Sequence, residues 1–333
     1  MKTPQNTHLK LLAIAIAAAL TFFTSCKKIG RNQCVEPDSL STDLTWEPLY
    51  YPEYPLNTKP EFNPNNPDEI VFLHMDDKEQ PSINLIKYNL KTKEHTILHK
   101  AYITSRPRWN KKGWILFSIW SNRQEYWKIK GTGDSLTFLR AHPLAGAPEW
   151  NKTGDRFIFY SHIETDGHPE QQAYFIADEN GTLIDTFPGK YITEPSWQHD
   201  SLLAFVSPYG LEVGNPYRGE FQRIVSFDDI KDNSKYSFDP GEVEWIDEDR
   251  VIWAHRAAVM ITNIHTGVTS VVKETCFGDR YFYPTYSPQN QVLALENRVY
   301  HKSKKDDLGI IVVSIHFMNL DGSCEEEFNF SLE

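Results

Sequence analysis

One short phrase recurs six times along this chain and constrains its fold more than any other feature. It consists of a proline, one variable residue, an aromatic residue, a polar turn and an apolar run, as in PEWNKTGDRFIFYSH, Pro148–His162. The fifth copy has Val243 in place of the proline. The aromatic residues follow one another at separations of 41 to 48 residues: Phe62, Trp109, Trp150, Trp197, Trp245 and Tyr286. A repeat of this length is typical of an array of small structural units.

Each repeat contains enough strand-forming segments for four short strands. In the third repeat, a strand around Trp150 leads through the turn NKTGD to RFIFYS, and the runs QQAYFIAD and TLIDTF follow. The pair Asn180-Gly181 favours a tight hairpin between the last two, because both residues accept positive φ. About 45 residues with four strands make one propeller blade. The sequence therefore predicts an all-β fold, a six-bladed β-propeller of four-stranded antiparallel blades over residues 58–333.

The repeats resemble the WD40-like repeats of the TolB β-propeller family, whose consensus reads much like P-x-W-S-P-D-G followed by an apolar strand. The turn SPQN in the sixth repeat and NKTGD in the third are the most similar to it. The resemblance implies a TolB-like propeller over nearly the whole mature chain. It also implies a protein-binding role, because TolB docks an envelope lipoprotein at its propeller face.

The six repeated aromatic residues are interpreted as structural anchors of the blades. An aromatic residue at one fixed position of every blade most simply fills the core between neighbouring blades. The alternative is a row of aromatic side chains that stack on sugars.

The N-terminal segment predicts export. Lys2 and Lys10 precede the apolar run Leu11–Phe23, which is long enough for a signal peptide but too short to span a bilayer. The sequence Phe23-Thr24-Ser25-Cys26 resembles the lipobox of bacterial lipoproteins, in the looser form found in Bacteroidetes. The resemblance implies cleavage before Cys26 and lipidation of Cys26. An ordinary signal peptide with an incidental cysteine is the alternative.

The predicted domains are a lipoprotein signal peptide at 1–25, a tether at 26–57 and the propeller. The tether is rich in proline, serine and acidic residues and has no sustained periodicity. Lys27 and Lys28 stand where surface-exposed Bacteroidetes lipoproteins tend to carry acidic residues, so we expect an outer-membrane anchor facing the periplasm.

Three cysteines remain in the mature chain beyond the lipidated one. Export implies an oxidising compartment. A bridge from Cys34 to Cys324 or to Cys276 is compatible with that compartment, and so are buried free thiols.

Composition and motifs exclude several function classes. The formal net charge of −11 argues against a nucleic-acid partner. The chain contains no GxSxG, HExxH, CxxC, EF-hand or Walker A motif. The sequence therefore predicts no catalytic residue, no cofactor and no metal, and it favours a non-catalytic protein.

Three histidines occupy similar places in their repeats. His74 and His162 each follow their aromatic anchor by 12 residues, and His255 follows Trp245 by 10. His74 and His162 are expected where the second strand of a blade ends, and His255 near the same place. A ring of histidines at a channel mouth can bind a metal, but solvated or hydrogen-bonded histidines are the favoured interpretation.

Long loops between the second and third strands of blades 3, 4 and 6 suggest a binding face. The predicted loop Ser207–Glu220 contains Tyr209, Tyr217 and Arg218, residue types that are enriched at binding hot spots. These three and the three histidines form the candidate binding residues of a loop-rich face. Solvated insertions are an equal alternative.

Two classes of function remain. The favoured one is a lipid-anchored envelope propeller that acts as a non-catalytic scaffold for a protein or peptide partner in an outer-membrane or periplasmic complex. The alternative is a glycan-binding protein, or a metal-dependent lyase or hydrolase of polysaccharide fragments, acting at the channel mouth.

Overall fold

The structure is a computed structural model. It describes residues 51–52, 54–76, 83–142, 146–163, 171–188, 193–199, 201–227, 241–255, 258–274, 279–302 and 309–332. Among these residues, no helix has the length and apolar character needed to cross a membrane.

The described strands form six sheets, each built mainly from consecutive strands of one repeat. Blade 1 contains β2 (Leu56–Asn63), β3 (Asn66–Met75), β4 (Ile83–Asn89) and β5 (His95–Ala101). Blade 2 contains β6 (Arg108–Trp109), β7 (Trp114–Trp120), β8 (Gln124–Lys130) and β9 (Thr137–His142). Blade 3 contains β10 (Glu149–Trp150), β11 (Arg156–Ile163), β12 (Gln171–Asp178) and β13 (Leu183–Pro188).

The remaining three blades follow the same plan. Blade 4 contains β14 (Thr193–His199), β15 (Leu202–Ser207), β16 (Gly210–Asn215) and β17 (Glu220–Ser226). Blade 5 contains β18 (Val243–Trp245), β19 (Arg250–His255), β20 (Ala258–Asn263) and β21 (Thr269–Glu274). Blade 6 contains β22 (Asp279–Ser287), β23 (Val292–Lys302), β24 (Gly309–Asn319) and the short β25 (Glu326–Phe328), and β1 (Tyr51–Pro52) joins it from the N-terminal side. The predicted all-β, six-bladed propeller is confirmed.

The polar turn after each anchor is stabilised by its own side chains. In blade 3, Asn151 Oδ1 accepts hydrogen bonds from the backbone N–H groups of Asp155 and Arg156. Gly154 has a φ of +69°, and a Cβ there would lie 2.5 Å from Asn110 Nδ2 of blade 2. The repeated Asn and Gly therefore allow a tight turn that packs closely against the neighbouring blade.

Six apolar clusters join the blades, and each contains or contacts one of the repeated aromatic residues. Trp150 of blade 3, which is 4% exposed, packs with Leu116 and Tyr126 of blade 2. Trp245 of blade 5 packs with Ala204 and Val206 of blade 4. The other anchors occupy the equivalent clusters: Phe62, Trp109, Trp197 and Tyr286.

The two ends of the described chain close the ring at blades 6 and 1. Strand β1 pairs in parallel with β24, and β25 pairs with the same strand antiparallel. Beyond β25, Phe330 packs edge-on against Phe72 and Tyr88 of blade 1, and its carbonyl accepts a hydrogen bond from Asn57 Nδ2. The fold thus begins within the range 26–57 that the sequence assigned to the tether.

The prediction that Ser207–Glu220 forms one long loop in blade 4 is wrong. Strand β16 occupies Gly210–Asn215, so this range consists of a two-residue turn, a strand and a second turn. The Gly-Leu-Glu-Val-Gly run was misread because its two glycines suggest a loop, although it pairs with β15 and β17.

Candidate functional site

The innermost strand of each blade presents one residue to the central channel directly before the aromatic anchor. Successive side chains of a strand point to opposite sides, so when the anchor enters the core between blades its predecessor points the other way. The six predecessors are Glu61, Arg108, Glu149, Ser196, Glu244 and Thr285. We call these six residues the channel ring.

Arg108 connects three carboxylates of the channel ring. Its Nη2 donates to Glu149 Oε1 at 2.7 Å and to Glu244 Oε2 at 2.8 Å, and its Nη1 donates to Glu61 Oε2 at 3.3 Å. Its Nε also forms an ion pair with Glu149. Blades 2 and 5 lie opposite each other in a six-membered ring, so the bond from Arg108 to Glu244 crosses the channel.

A second arginine supports this network from the connection between blades 1 and 2. Arg106 Nη2 donates to Glu61 Oε2 at 2.7 Å and to the carbonyl of Pro284 in blade 6 at 3.0 Å. Its side chain is 2% exposed. The two guanidinium groups and the carboxylates around them therefore close the middle of the channel.

A funnel of about 150 Å³ opens on one side of this closure. Its floor contains Arg108, Glu149 and Glu244, and the anchor tryptophans line its wall. Polar residues of the turns between the first and second strands surround it, and the most exposed of them are Lys111 and Lys152. We call the face that carries these turns the funnel face. The face that carries the connections between blades is the connection face.

Burial decides the direction of the pKa shift for the buried glutamates Glu61 and Glu149, but not for Arg108. It raises the pKa of Glu149 to about 8, against the opposing effect of Arg108. Burial also raises the pKa of Glu61, although Arg108 and Arg106 lower it. For Arg108, the attraction of Glu149, Glu244 and Glu61 outweighs burial, so its pKa is raised further and it stays charged.

Three blades carry the same backbone irregularity on the connection side of the closure. Lys59, Glu194 and Tyr283 each stand three residues before their anchor and have positive φ values of 55°, 40° and 51°. The register of the innermost pair shifts at each of these positions. Strained non-glycine residues of this kind persist where the surrounding structure holds them in place. A small cavity of about 10 Å³ lies beside Glu194 and Arg106.

The predicted histidine positions are only partly described. His74 is fully buried, and its Nδ1 lies 2.8 Å from Asn57 Oδ1 while its Nε2 contacts Asp76. His162 and His255 lie near the ends of β11 and β19, as the spacing predicts, but their side chains lie outside the described part. Within the part of the chain that the structure describes, no three His, Cys, Asp or Glu side chains group as metal ligands.

The other candidate binding residues divide between the two faces. Tyr209 lies in the turn between β15 and β16, on the connection face, and is 63% exposed. Tyr217 and Arg218 lie in the turn between β16 and β17, on the funnel face. Arg156 Nη1 donates to Tyr217 Oη at 2.6 Å, and Arg218 is exposed. These six residues therefore do not form one described surface.

The cysteine positions are largely outside the described residues. Cys26, Cys34 and Cys276 lie there. Cys324 forms a disulfide bond, and its partner also lies outside the described part.

Sequence reasoning missed the channel ring, although its signal was present in the repeat. The variable residue of the phrase Pro-x-aromatic is the ring position, and three of its six occupants are Glu and one is Arg. A charged residue beside an aromatic core residue in an inner strand indicates a polar channel.

Comparisons with known proteins establish the fold. No protein-family model matches the sequence, and no curated protein resembles it in sequence. The β-propeller domain of the Trilobed protease from Pyrococcus furiosus is 10% identical with a TM-score of 0.53, over 84% of this chain and 99% of that one. An oligogalacturonate lyase from Vibrio parahaemolyticus is 10% identical with a TM-score of 0.51, over 83% and 79% of the two chains.

TolB from Acinetobacter baumannii is also among the matched structures. It is 15% identical with a TM-score of 0.37, over 80% of this chain and 53% of that one. The chain spans about half the length of several proteins it matches, TolB and the acylaminoacyl peptidases included. The strand order, together with the likeness to the Trilobed protease propeller and the Vibrio lyase, shows that the described chain is a six-bladed β-propeller.

Proposed function

We propose that this protein is a lipid-anchored binding module of the bacterial cell envelope that holds a protein or peptide partner and has no catalytic role. In this proposal Cys26 carries the lipid, and the propeller is held at the outer membrane, facing the periplasm. The partner docks on the funnel face. The proposal extends the sequence-based scaffold hypothesis and relocates its binding surface.

The observation that carries the proposal is the closure of the channel by Arg108. The bond from Arg108 to Glu244 leaves a blind funnel instead of a continuous tunnel. A funnel of about 150 Å³ is small beside the usual ligand cleft, and it has room for one or two side chains. A docked protein that inserts such an anchor would fit this geometry.

The chemistry of the floor supports a binding role. Glu61, Glu149 and Glu244 each accept a hydrogen bond from the same guanidinium. Carboxylates held in this way fix one another's positions. A rigid polar floor below an indole wall is the arrangement expected of a preorganised recognition pocket.

Affinity purification of the full lipidated chain from envelope membranes tests the proposal. We expect a stoichiometric partner with the native chain, and we expect the double substitution Lys111→Trp and Lys152→Trp, which narrows the funnel mouth without adding negative charge, to reduce partner recovery at least tenfold. Lys100→Trp is the matched control, because Lys100 is also exposed but lies at the connection-face end of β5. Equal recovery with the funnel variant and the control, or recovery of the propeller alone, would refute the proposed docking face.

The proposed anchor has its own test. Cys26→Ser should move the protein from the membrane fraction to the soluble fraction, whereas Cys324→Ser should not. A membrane-bound Cys26→Ser protein would contradict lipidation at this residue.

A glycan ligand at the funnel is the second candidate. The funnel wall carries Trp109, Trp150 and Trp197, and its rim carries the amides of Asn110 and Gln198. The Nε1–H groups of these three indoles have no hydrogen-bond partner among the described residues, so they could donate to the hydroxyls of a sugar. Titration of the purified chain with oligogalacturonate, with and without Mn²⁺, should show no turnover if the protein is a scaffold, and metal-dependent turnover would favour the lyase alternative.

A further inference from the structure

The floor of the funnel carries more negative than positive groups. Three carboxylates of the channel ring, those of Glu61, Glu149 and Glu244, share the guanidinium of Arg108, with Arg106 behind them. Glu194 lines the small cavity on the far side of the same two arginines. Four carboxylates therefore meet three cations in the closed middle of the channel: the guanidinium groups of Arg106 and Arg108, and the ammonium of Lys59, which acts on Glu194.

Burial strengthens the effect of this excess of negative charge. The side chains of Glu61 and Glu149 are 10% and 9% exposed, and that of Arg108 is 7% exposed. Charges so far from water interact strongly and are hardly screened by salt. An uncompensated carboxylate in this setting is costly and favours its neutral form.

The raised pKa of Glu149 agrees with an excess of carboxylates over cations at the funnel floor. Burial raises the pKa of Glu149 to about 8 despite its bonds to Arg108. The charged groups that face it are Glu61 from β2, Arg106 from the connection between blades 1 and 2, Arg108 from β6, Glu194 from β14 and Glu244 from β18. One further cation at the floor would let these carboxylates ionise together.

Glu244 is the carboxylate that an incoming group reaches first. Its side chain is 18% exposed, the most of the three carboxylates bound by Arg108, and it lines the funnel. Lys111 and Lys152 at the mouth are exposed to solvent, so water and salt screen their charges. The field inside the funnel is therefore set by the buried floor.

We propose that the funnel takes a cationic group, the guanidinium or ammonium of an arginine or lysine side chain that the protein partner inserts. The inserted cation donates charge-assisted hydrogen bonds to Glu244 and Glu149, and the surrounding indoles keep water out. This inference rests on the proposed function, because it names the chemistry of the anchor that the funnel would hold.

Isothermal titration of the full chain in detergent with two matched probes tests the inference. N-acetyl-arginine amide carries the guanidinium, and N-acetyl-citrulline amide is its uncharged isostere. We expect the arginine probe to bind at least tenfold more tightly at pH 7. Equal affinity of the two probes, or no binding of either, would overturn the inference.

Variants locate the binding. Glu244→Gln should lower the affinity for the arginine probe at least tenfold, and Glu244→Asp should restore part of that affinity. Glu94→Gln, an exposed carboxylate on the turn between β4 and β5, should leave the affinity unchanged. The inference fails if Glu244→Gln and Glu94→Gln behave alike.

A measurement on the unsubstituted chain keeps the test independent of variant folding. Titrations in buffers of different ionisation enthalpy report the protons exchanged on binding. We expect protons to be released near pH 7, because the inserted cation favours ionised Glu149, and zero release would count against the inference. If a partner is recovered and needs the funnel face, but the arginine probe does not bind, this inference fails and the proposed function stands. Probe binding without any envelope partner would overturn the proposed function alone.

Discussion

Arg108 Nη2 lies 2.8 Å from Glu244 Oε2, and the two residues belong to opposite blades, 136 positions apart in the chain. This contact closes the channel and creates the funnel. It also joins two halves of the ring directly, as does the longer 3.8 Å ion pair between Arg106 and Glu244. The same bond therefore shapes the candidate site and contributes to the stability of the propeller.

Removal of Arg108 is expected to destabilise the protein strongly. Arg108→Ala leaves three buried carboxylates without their shared partner, which should cost about 3–5 kcal/mol of the free energy of unfolding. Urea denaturation at pH 7 measures it. Arg218→Ala is the control, because that side chain is 71% exposed and its nearest carboxylate oxygen is 4.0 Å away. Similar midpoints for the two variants would contradict the structural role of Arg108.

The raised pKa of Glu149 predicts that stability falls as the pH rises. Between about pH 4.5 and 8 the folded protein retains a proton on Glu149 that the unfolded chain has lost. The folded state then binds more protons, so the free energy of unfolding decreases with pH in this window, on the order of 1 kcal/mol per pH unit. Glu149→Gln should have a flatter profile in denaturation series at pH 5, 6.5 and 8. Parallel profiles of the two proteins would show that Glu149 titrates normally.

The lowered pKa of Glu325 predicts the opposite dependence of stability on pH: the protein should lose stability as the solution becomes acidic. Burial opposes its ionisation, but hydrogen bonds from His316, Lys273 and Tyr281 prevail and lower its pKa to about 2. A lowered folded-state pKa stabilises the protein above about pH 4.5, and this contribution is lost as the pH falls towards 2.

Glu325→Gln should therefore cost roughly 2 kcal/mol at pH 7 and much less near pH 2.5. Chemical denaturation at both values measures the difference. Glu326→Gln, one residue further along and exposed, provides the control. A cost for Glu325→Gln that does not change with pH would disprove this role of the carboxylate.

The anchor position predicts a graded response to substitution. Trp150→Ala should cost about 3–5 kcal/mol, because a large side chain leaves the core between blades 2 and 3. Trp150→Phe should cost less, since Phe62 fills the same position in blade 1. Thermal and urea unfolding would measure both. Trp120→Ala, at a residue that is 40% exposed, should stay within about 1 kcal/mol. If the Trp150→Ala protein is as stable as the Trp120→Ala protein, Trp150 is not a structural anchor of its blade.

Much of the fold could be predicted from the chain alone because it is a local property repeated six times. The Pro-x-aromatic phrase, the polar turns and the apolar runs specify strands and hairpins within about 45 residues, and the repeat number follows by counting. The prediction failed in blade 4, where two glycines inside a paired strand were read as loop. Pairing across β15, β16 and β17 overrode that local signal.

The candidate site could not be predicted in the same way, because it consists of residues far apart in sequence. Glu61, Arg108, Glu149 and Glu244 are brought together only when the ring closes, and no local spacing relates them as a motif. Long loops suggested the connection face, whereas the buried charges shape the funnel face.

The six-fold repetition of one blade can be read from the amino-acid sequence, because the strand period and the turn residues lie within each repeat. The contact between Arg108 and Glu244, the blind channel and the excess of buried carboxylates over the cations beside them follow only from the folded ring. Charge interactions of this strength require burial, and closing the ring creates that burial.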